Sequence, residues 1–150
     1  MTSAEEQGRE QALAERVVSA MMTKDGFSSW LGIEIVNVRP RGATVRMTVR
    51  KDMVNGFGVC HGGATYSLAD SALAFASNTH GRVTVSIENT ITYPKGVAVG
   101  DVLTATADEE SASNRLAFYR VKVTTASDDV VALFTGTVYR TNQEFFPSDE

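Results

Sequence analysis

The sequence holds one cysteine and two histidines. A single thiol excludes an internal disulfide framework and a four-thiolate zinc site, and the spacing of His61 and His80 suggests no zinc site either. No metal and no cofactor is therefore expected. No apolar run approaches the ~18 residues that span a bilayer. The opening residues, Met1-Thr2-Ser3-Ala4-Glu5-Glu6, are acidic and polar, with no secretory apolar segment behind them. An excess of positive charge is missing as well. Fourteen Lys and Arg stand against 18 Asp and Glu, a net charge of -4, so the chain has no global attraction for nucleic acid or anionic lipid. There is no Gly-x-Ser-x-Gly element and no glycine-rich phosphate loop followed by Lys-Ser/Thr. Together these absences predict a cytoplasmic protein with neither a nucleic-acid nor a membrane partner.

What remains suits one packed domain over residues 1–150: 43% of the residues are hydrophobic and 21% charged. Residues 1–26 predict an N-terminal helix. Leu13, Val17 and Met21 recur every four residues to form its apolar stripe, and Asp25-Gly26 closes it. Ile33, Ile35 and Val36 begin a strand, Arg39-Pro40-Arg41-Gly42 turns the chain, and residues 43–50 alternate as a half-buried strand. Residues 67–76 lack β-branched side chains and are apolar on every side, the pattern of a buried helix. Residues 83–93, 102–107, 116–125 and 130–140 are strands, with turns at Ser111-Ala112-Ser113-Asn114 and Ser127-Asp128-Asp129. Residues 144–150 read as a loose tail. The order predicts an α+β fold, one antiparallel sheet curled around one long helix, with an open sheet edge to which a second copy can pair.

Two features carry chemistry. The segment Asn55-Gly56-Phe57-Gly58-Val59-Cys60-His61-Gly62-Gly63 has four glycines in nine residues and leads into the buried helix. Glycines let a ligand approach the backbone, and the first turn of a helix offers unpaired amide hydrogens at the positive end of its dipole. A flexible loop and cap is the plainer reading. Asp70 is the only charged side chain between Gly62 and Thr79, in a helix otherwise built for burial. A carboxylate there is either functional or local glue bonded to Ser67 or Ser71. Gly62 and Asp70 are eight residues apart, about 12 Å along a helix, too far for one carbonyl group to touch both in one chain. If both serve one reaction, they come from two antiparallel helices across a two-fold axis. Cys60 beside His61 does not make a nucleophile–base pair, because adjacent side chains diverge.

Asn55-Gly56, Cys60-His61-Gly62-Gly63 and Ser67-Leu68-Ala69-Asp70 resemble the signature of hotdog-fold acyl-CoA thioesterases, in particular the phenylacetic-acid-degradation, PaaI-like branch. Ser86-Ile87-Glu88-Asn89-Thr90-Ile91-Thr92-Tyr93-Pro94 resembles the strand after the helix in that family. The likeness covers roughly residues 31–140. It implies a hydrolase of aryl-acetyl or medium acyl-CoA thioesters, with acyl-CoA as its small-molecule partner and a homodimer, or a homotetramer of paired dimers, as its assembly. It implies Asp70 as general base or nucleophile and the Gly62 N–H as the donor to the thioester carbonyl from the opposite subunit. It further implies Asn55 in the same pocket, Ser86 orienting the water, and His61 near the leaving sulfur or simply at the helix start. Gly63, Phe57 and Tyr93 are expected at the substrate. Arg82, Lys95 and Arg115, in or beside turns, are candidates for the coenzyme A phosphates, with solvated surface charge as the alternative for each. Two other functions remain open: a hydratase or dehydratase on the same fold, and a non-catalytic acyl-CoA-binding module.

Overall fold

The computed structural model describes residues 1–148; the last two residues of the expected tail lie outside the described part. Helix α1 (Ser3–Lys24) opens on a capping box, in which the Thr2 side chain accepts from the Glu5 amide and the Glu5 carboxylate accepts from the Thr2 amide. Asp25 ends α1 and at once caps α2 (Gly26–Leu31), a short helix that the sequence reading passes over. Strands β1 (Glu34–Arg39) and β2 (Gly42–Thr48) follow, then a 3-10 turn (Lys51–Met53), helix α3 (Gly62–Asn78), and strands β3 (Arg82–Thr92), β4 (Val102–Ala112), β5 (Leu116–Thr124) and β6 (Val130–Glu144).

The six strands form one antiparallel sheet in the order β1-β2-β4-β5-β6-β3. It curls around α3, whose Leu68, Leu73 and Phe75 are wholly buried against Val45, Leu103, Val121 and Phe134. Each such apolar side chain contributes about 1.5–3 kcal/mol of burial. Alanines 69, 72 and 76 let helix and sheet come close, and Gly136 on β6 closes the fit. A Cβ there would stand 2.6 Å from Leu73 Cδ2 and 2.9 Å from Asn89 Oδ1. Among the described residues, no helix is long and apolar enough to cross a membrane.

Two strand boundaries differ from the sequence reading. Helix α3 starts at Gly62, ahead of the apolar pattern that begins at residue 67, because the His61 side chain caps it and tertiary packing overrides the poor helix propensity of the two glycines. Strand β4 continues to Ala112. Strand β6 runs through Glu144; beyond it the Phe145 amide bonds the Gly81 carbonyl and Phe146 lies under Arg16 at 4.5 Å, so this part of the expected loose tail is packed.

The two edges of the sheet are treated differently. Helix α1 lies along β1, with Ala14, Val17 and Val18 buried and Gln11 Nε2 donating to the Val38 carbonyl. Strand β3, at the other edge, leaves Val85, Ser86, Ile87 and Glu88 exposed.

Candidate active site

Helix α3 is mostly buried; besides Gly63, Ala64 and Ser67 near its start, one stripe breaks the pattern. Gly62, Tyr66, Asp70 and Ala74, each four residues after the last, are only half-buried. This stripe runs beside β3 and the Tyr93 that follows it. Tyr93 Oη donates to the Gly62 carbonyl at 2.8 Å. A Cβ at position 62 would stand 3.1 Å from the Tyr93 ring, so the close seat of Tyr93 favours glycine there. Partial burial holds the Tyr93 phenol above its ordinary value, which keeps it a donor.

At the helix start the amide hydrogens are not equivalent. The Gly63 N–H donates to His61 Nδ1 at 2.8 Å and the Ala64 N–H to the His61 carbonyl at 2.9 Å. The Gly62 N–H has no hydrogen-bond partner among the described residues. It is thus a first-turn donor left open at the positive end of a 17-residue helix.

Asp70 lies two turns further on. Asn89 Nδ2 donates to Asp70 Oδ1 at 3.4 Å and to Tyr66 Oη at 3.0 Å, while Asn89 Oδ1 accepts from Ser86 Oγ at 2.8 Å. Burial pushes the Asp70 carboxyl above the ordinary aspartate value; the Asn89 amide opposes this, and the nearby Asp25 charge adds to it. The local-glue alternative fails. Ser67 Oγ donates to the Gly63 carbonyl at 2.8 Å, and Ser71 Oγ pairs with Ser28 Oγ at 2.8 Å, so neither hydroxyl serves Asp70. Asn89 and Tyr66, which the sequence reading did not single out, complete the hydrogen-bonded cluster around Asp70. Their contacts join residues 19 and 23 positions apart, and no local spacing signals them.

The remaining candidates are placed as follows. Ser86 reaches the cluster through Asn89, not through Asp70 directly. The Asn55 side chain does not approach its own chain's Asp70: its Oδ1 closes its own loop, accepting from the Phe57 and Val59 amides at 2.9 and 3.3 Å. His61 is the helix cap, and Gly63 gives its N–H to that cap. Cys60 is buried, and burial pushes its thiol up, which removes it further from thiolate chemistry. Phe57 is almost fully exposed. The three cations proposed for phosphates are engaged within the chain. Arg82 Nε donates to the Thr141 carbonyl at 3.1 Å, Arg115 to Asn142 Oδ1 at 2.6 Å, and Lys95 pairs with Asp129 at 2.7 Å. These ties hold the two arginines against neighbouring strands, while the Lys95–Asp129 pair is an exposed surface ion pair.

An open amide donor and a carboxyl of raised proton affinity, with a hydrogen-bonded amide behind it, can polarise a carbonyl and take a proton from an attacking water. In one chain the two stand about 12 Å apart. Residues 57–132 match the family model described as "Thioesterase superfamily". The chain is 37% identical over 121 residues to the acyl-coenzyme A thioesterase PaaI of Escherichia coli, covering 81% of this chain and 86% of that one. It is 32% identical to human acyl-coenzyme A thioesterase 13, covering 76% and 83% of the two chains. The solved structure of the E. coli PaaI protein from the phenylacetic acid degradation operon superposes with a TM-score of 0.88 at 34% identity, covering 89% of this chain and 97% of that one.

Proposed function

The chain belongs to the thioesterase superfamily, and from that premise we propose that it hydrolyses aryl-acetyl, phenylacetyl-type or medium-length acyl-CoA thioesters at a site completed by two subunits. It is a thioester hydrolase of the acyl-CoA class. Its acyl preference, the roles of its residues and its assembly are assigned here.

The observation that carries the assignment is the half-buried stripe of α3, which puts an open Gly62 N–H and a proton-avid Asp70 on one helix face, too far apart to act on one carbonyl. An antiparallel copy of the helix removes the difficulty, because Gly62 of each protomer then meets Asp70 of the other. The exposed edge of β3, next to this stripe, supports pairing there. The Gly62 N–H of one subunit polarises the thioester carbonyl. Asp70 of the other takes a proton from water as its oxygen attacks the carbonyl carbon. The tetrahedral intermediate collapses, the C–S bond breaks, and the coenzyme A thiolate leaves with the proton. Alternatively, the Asp70 carboxylate attacks the carbonyl carbon directly, the C–S bond breaks to release the coenzyme A thiolate, and water hydrolyses the mixed anhydride, restoring the carboxylate and giving its proton to the thiolate. Asn89 and, behind it, Ser86 hold the carboxyl in position. We place Asn55 and His61 at the loop that shapes the entrance, the enzyme in the cytoplasm, and its dimers in a homotetramer. The hydratase reading is disfavoured by His61, whose Nδ1 is committed to the helix cap.

The test is turnover of a panel of phenylacetyl, hydroxyphenylacetyl, benzoyl, hexanoyl and palmitoyl thioesters of coenzyme A, with released thiol followed by a colour reagent. Hydrolysis that favours the aryl-acetyl thioesters is expected. A folded protein inert to all of them contradicts the proposal.

A further inference from the structure

Two of the largest apolar side chains in the molecule stand uncovered beside each other. Phe27 is 56% and Trp30 65% exposed, on the six-residue helix α2. Their ring centroids are 5.9 Å apart with the planes tilted by 34°. The ledge they form is held in place. Asp25 caps α2 through the Ser28 amide and hydroxyl, Ser28 bonds Ser71 on α3, and Arg50, 5.9 Å from the Trp30 centroid, donates to the Leu31 carbonyl at 2.9 Å. Two adjacent aromatic rings held in place and left in water offer an apolar face for a ligand beside the cleft they border.

Between this ledge and the start of α3 lies a cleft of about 210 Å³, floored by Leu31, Met53, Ala64 and Ser67. It passes Gly63, next to the open Gly62 amide. We propose that this cleft receives the acyl group of the substrate, and that Phe27 and Trp30 select an aromatic ring there. The proposal rests on Gly62 holding the thioester carbonyl, as assigned above. A group attached to that carbonyl reaches the adjoining cleft, whereas the nucleotide end of coenzyme A is many bonds away. The cleft lining holds no Lys or Arg for a phosphate and includes the Asp52 carboxylate, which pairs with Arg50 at 3.1 Å. Its volume lies below the ~300 Å³ of pockets that take drug-sized ligands, enough for one ring on a short linker and too small for a long chain. Offset or tilted aromatic contacts then favour a ring over an alkyl group of similar size.

Trp30 is the only tryptophan in the sequence, so its fluorescence reports the cleft directly. The first arm titrates the slow Asp70→Asn protein with phenylacetyl-CoA, hexanoyl-CoA and free coenzyme A. Phenylacetyl-CoA is expected to change Trp30 emission at the lowest concentration, and free coenzyme A to leave it unchanged. The second arm measures Phe27→Ala, an exposed position whose truncation costs the fold little. KM for phenylacetyl-CoA is expected to rise about tenfold, while kcat/KM for acetyl-CoA stays within about twofold of the parent. An emission change with free coenzyme A alone assigns the ledge to the nucleotide and overturns the proposal. So does an equal effect of Phe27→Ala on both thioesters, or no effect on either. Failure of the hydrolase assignment shows separately, as a wild-type protein that turns over no thioester whatever Trp30 reports.

Discussion

Replacing Asp70 by Asn keeps the shape of the side chain and removes its ability to take a proton. The new carboxamide oxygen still accepts from Asn89 Nδ2, now at 3.4 Å from Asp70 Oδ1, so the cluster of Ser86, Asn89 and Tyr66 retains its bonds. Loss of a positioned general base lowers kcat by ~10²–10⁴, or about 2.7–5.5 kcal/mol of barrier. Stability moves the other way. The Asp70 carboxyl binds its proton more tightly in the folded chain than in the unfolded one, so its ionisation opposes folding. That penalty is absent below the unfolded value of 3.8 and complete above the raised folded value, so at neutral pH the neutral Asn relieves it. Asp70→Asn is therefore expected to be nearly inactive and at least as stable as the parent at pH 7, with the stability gain vanishing in acid. Steady-state kinetics on phenylacetyl-CoA and thermal melts at pH 7 and pH 3.5 read both halves. Near-normal turnover refutes the role of Asp70. A variant that loses activity together with several degrees of Tm refutes the claim that the charge is kept at the expense of the fold.

Asn89→Ala removes the hydrogen bond that favours the ionised carboxylate. The acid limb of kcat/KM is expected to move to higher pH, with a smaller loss of plateau rate than Asp70→Asn; an unmoved limb refutes the positioning role. Gly62→Pro suits the backbone of the first helical position and the extended His61 before it (φ -62°, ψ 132°) and deletes the open N–H, while its Cβ, 3.1 Å from the Tyr93 ring, makes that side chain give by a few tenths of an ångström. A fall in kcat of ~10²–10³ with a folded protein by circular dichroism is expected, and retained turnover contradicts the carbonyl assignment. His80 is held down to about 4 by burial and by the charges of Arg140 and Arg82, while the unfolded chain titrates near 6.5. Its lowered value means that stability present at pH 7 is lost as pH falls from 6.5 towards 4. The loss is about 1–3 kcal/mol once solvent screening of a partly exposed ring is allowed for. Urea midpoints at pH 7.5 and pH 5 should show that slope in the parent and a shallower one in His80→Gln; equal slopes sink this account. Gly136→Ala forces a methyl against Leu73 and Asn89 and should lower both Tm and kcat, by about 1–3 kcal/mol in stability; an unchanged Tm would show that the helix can shift away.

Much of the fold is legible because its signals are local. The alternation over residues 43–50 and the β-branched run of β3 mark strands without reference to anything distant, and a helix apolar on every side has to be the one the sheet surrounds. The start of α3 is legible only in part: Gly62 reads as its first turn, but two glycines argue against helix, and histidine is not among the residues that usually signal an N-cap, although the cap spans only two positions. The same division runs through the site. Asp70 stands out as a lone charge in an apolar helix, and Gly62 as a glycine at its start. Asn89 and Tyr66 look like ordinary strand and helix residues until folding brings them to the carboxyl. The intrachain ties of Arg82, Lys95 and Arg115 are hidden for the same reason, because their partners lie 25 to 59 positions away in the chain.

The central claim is that each site takes its carbonyl donor from one subunit and its base from the other, and complementation tests it most directly. Gly62→Pro and Asp70→Asn chains, each inactive alone, are co-expressed with different tags and the mixed dimers purified through both. In a mixed dimer one site has both groups intact and the other has neither. Purified mixed dimers should therefore recover about half the wild-type activity, and an unseparated equimolar population about a quarter. Folded mixed dimers no more active than either parent homodimer would contradict a site shared between subunits.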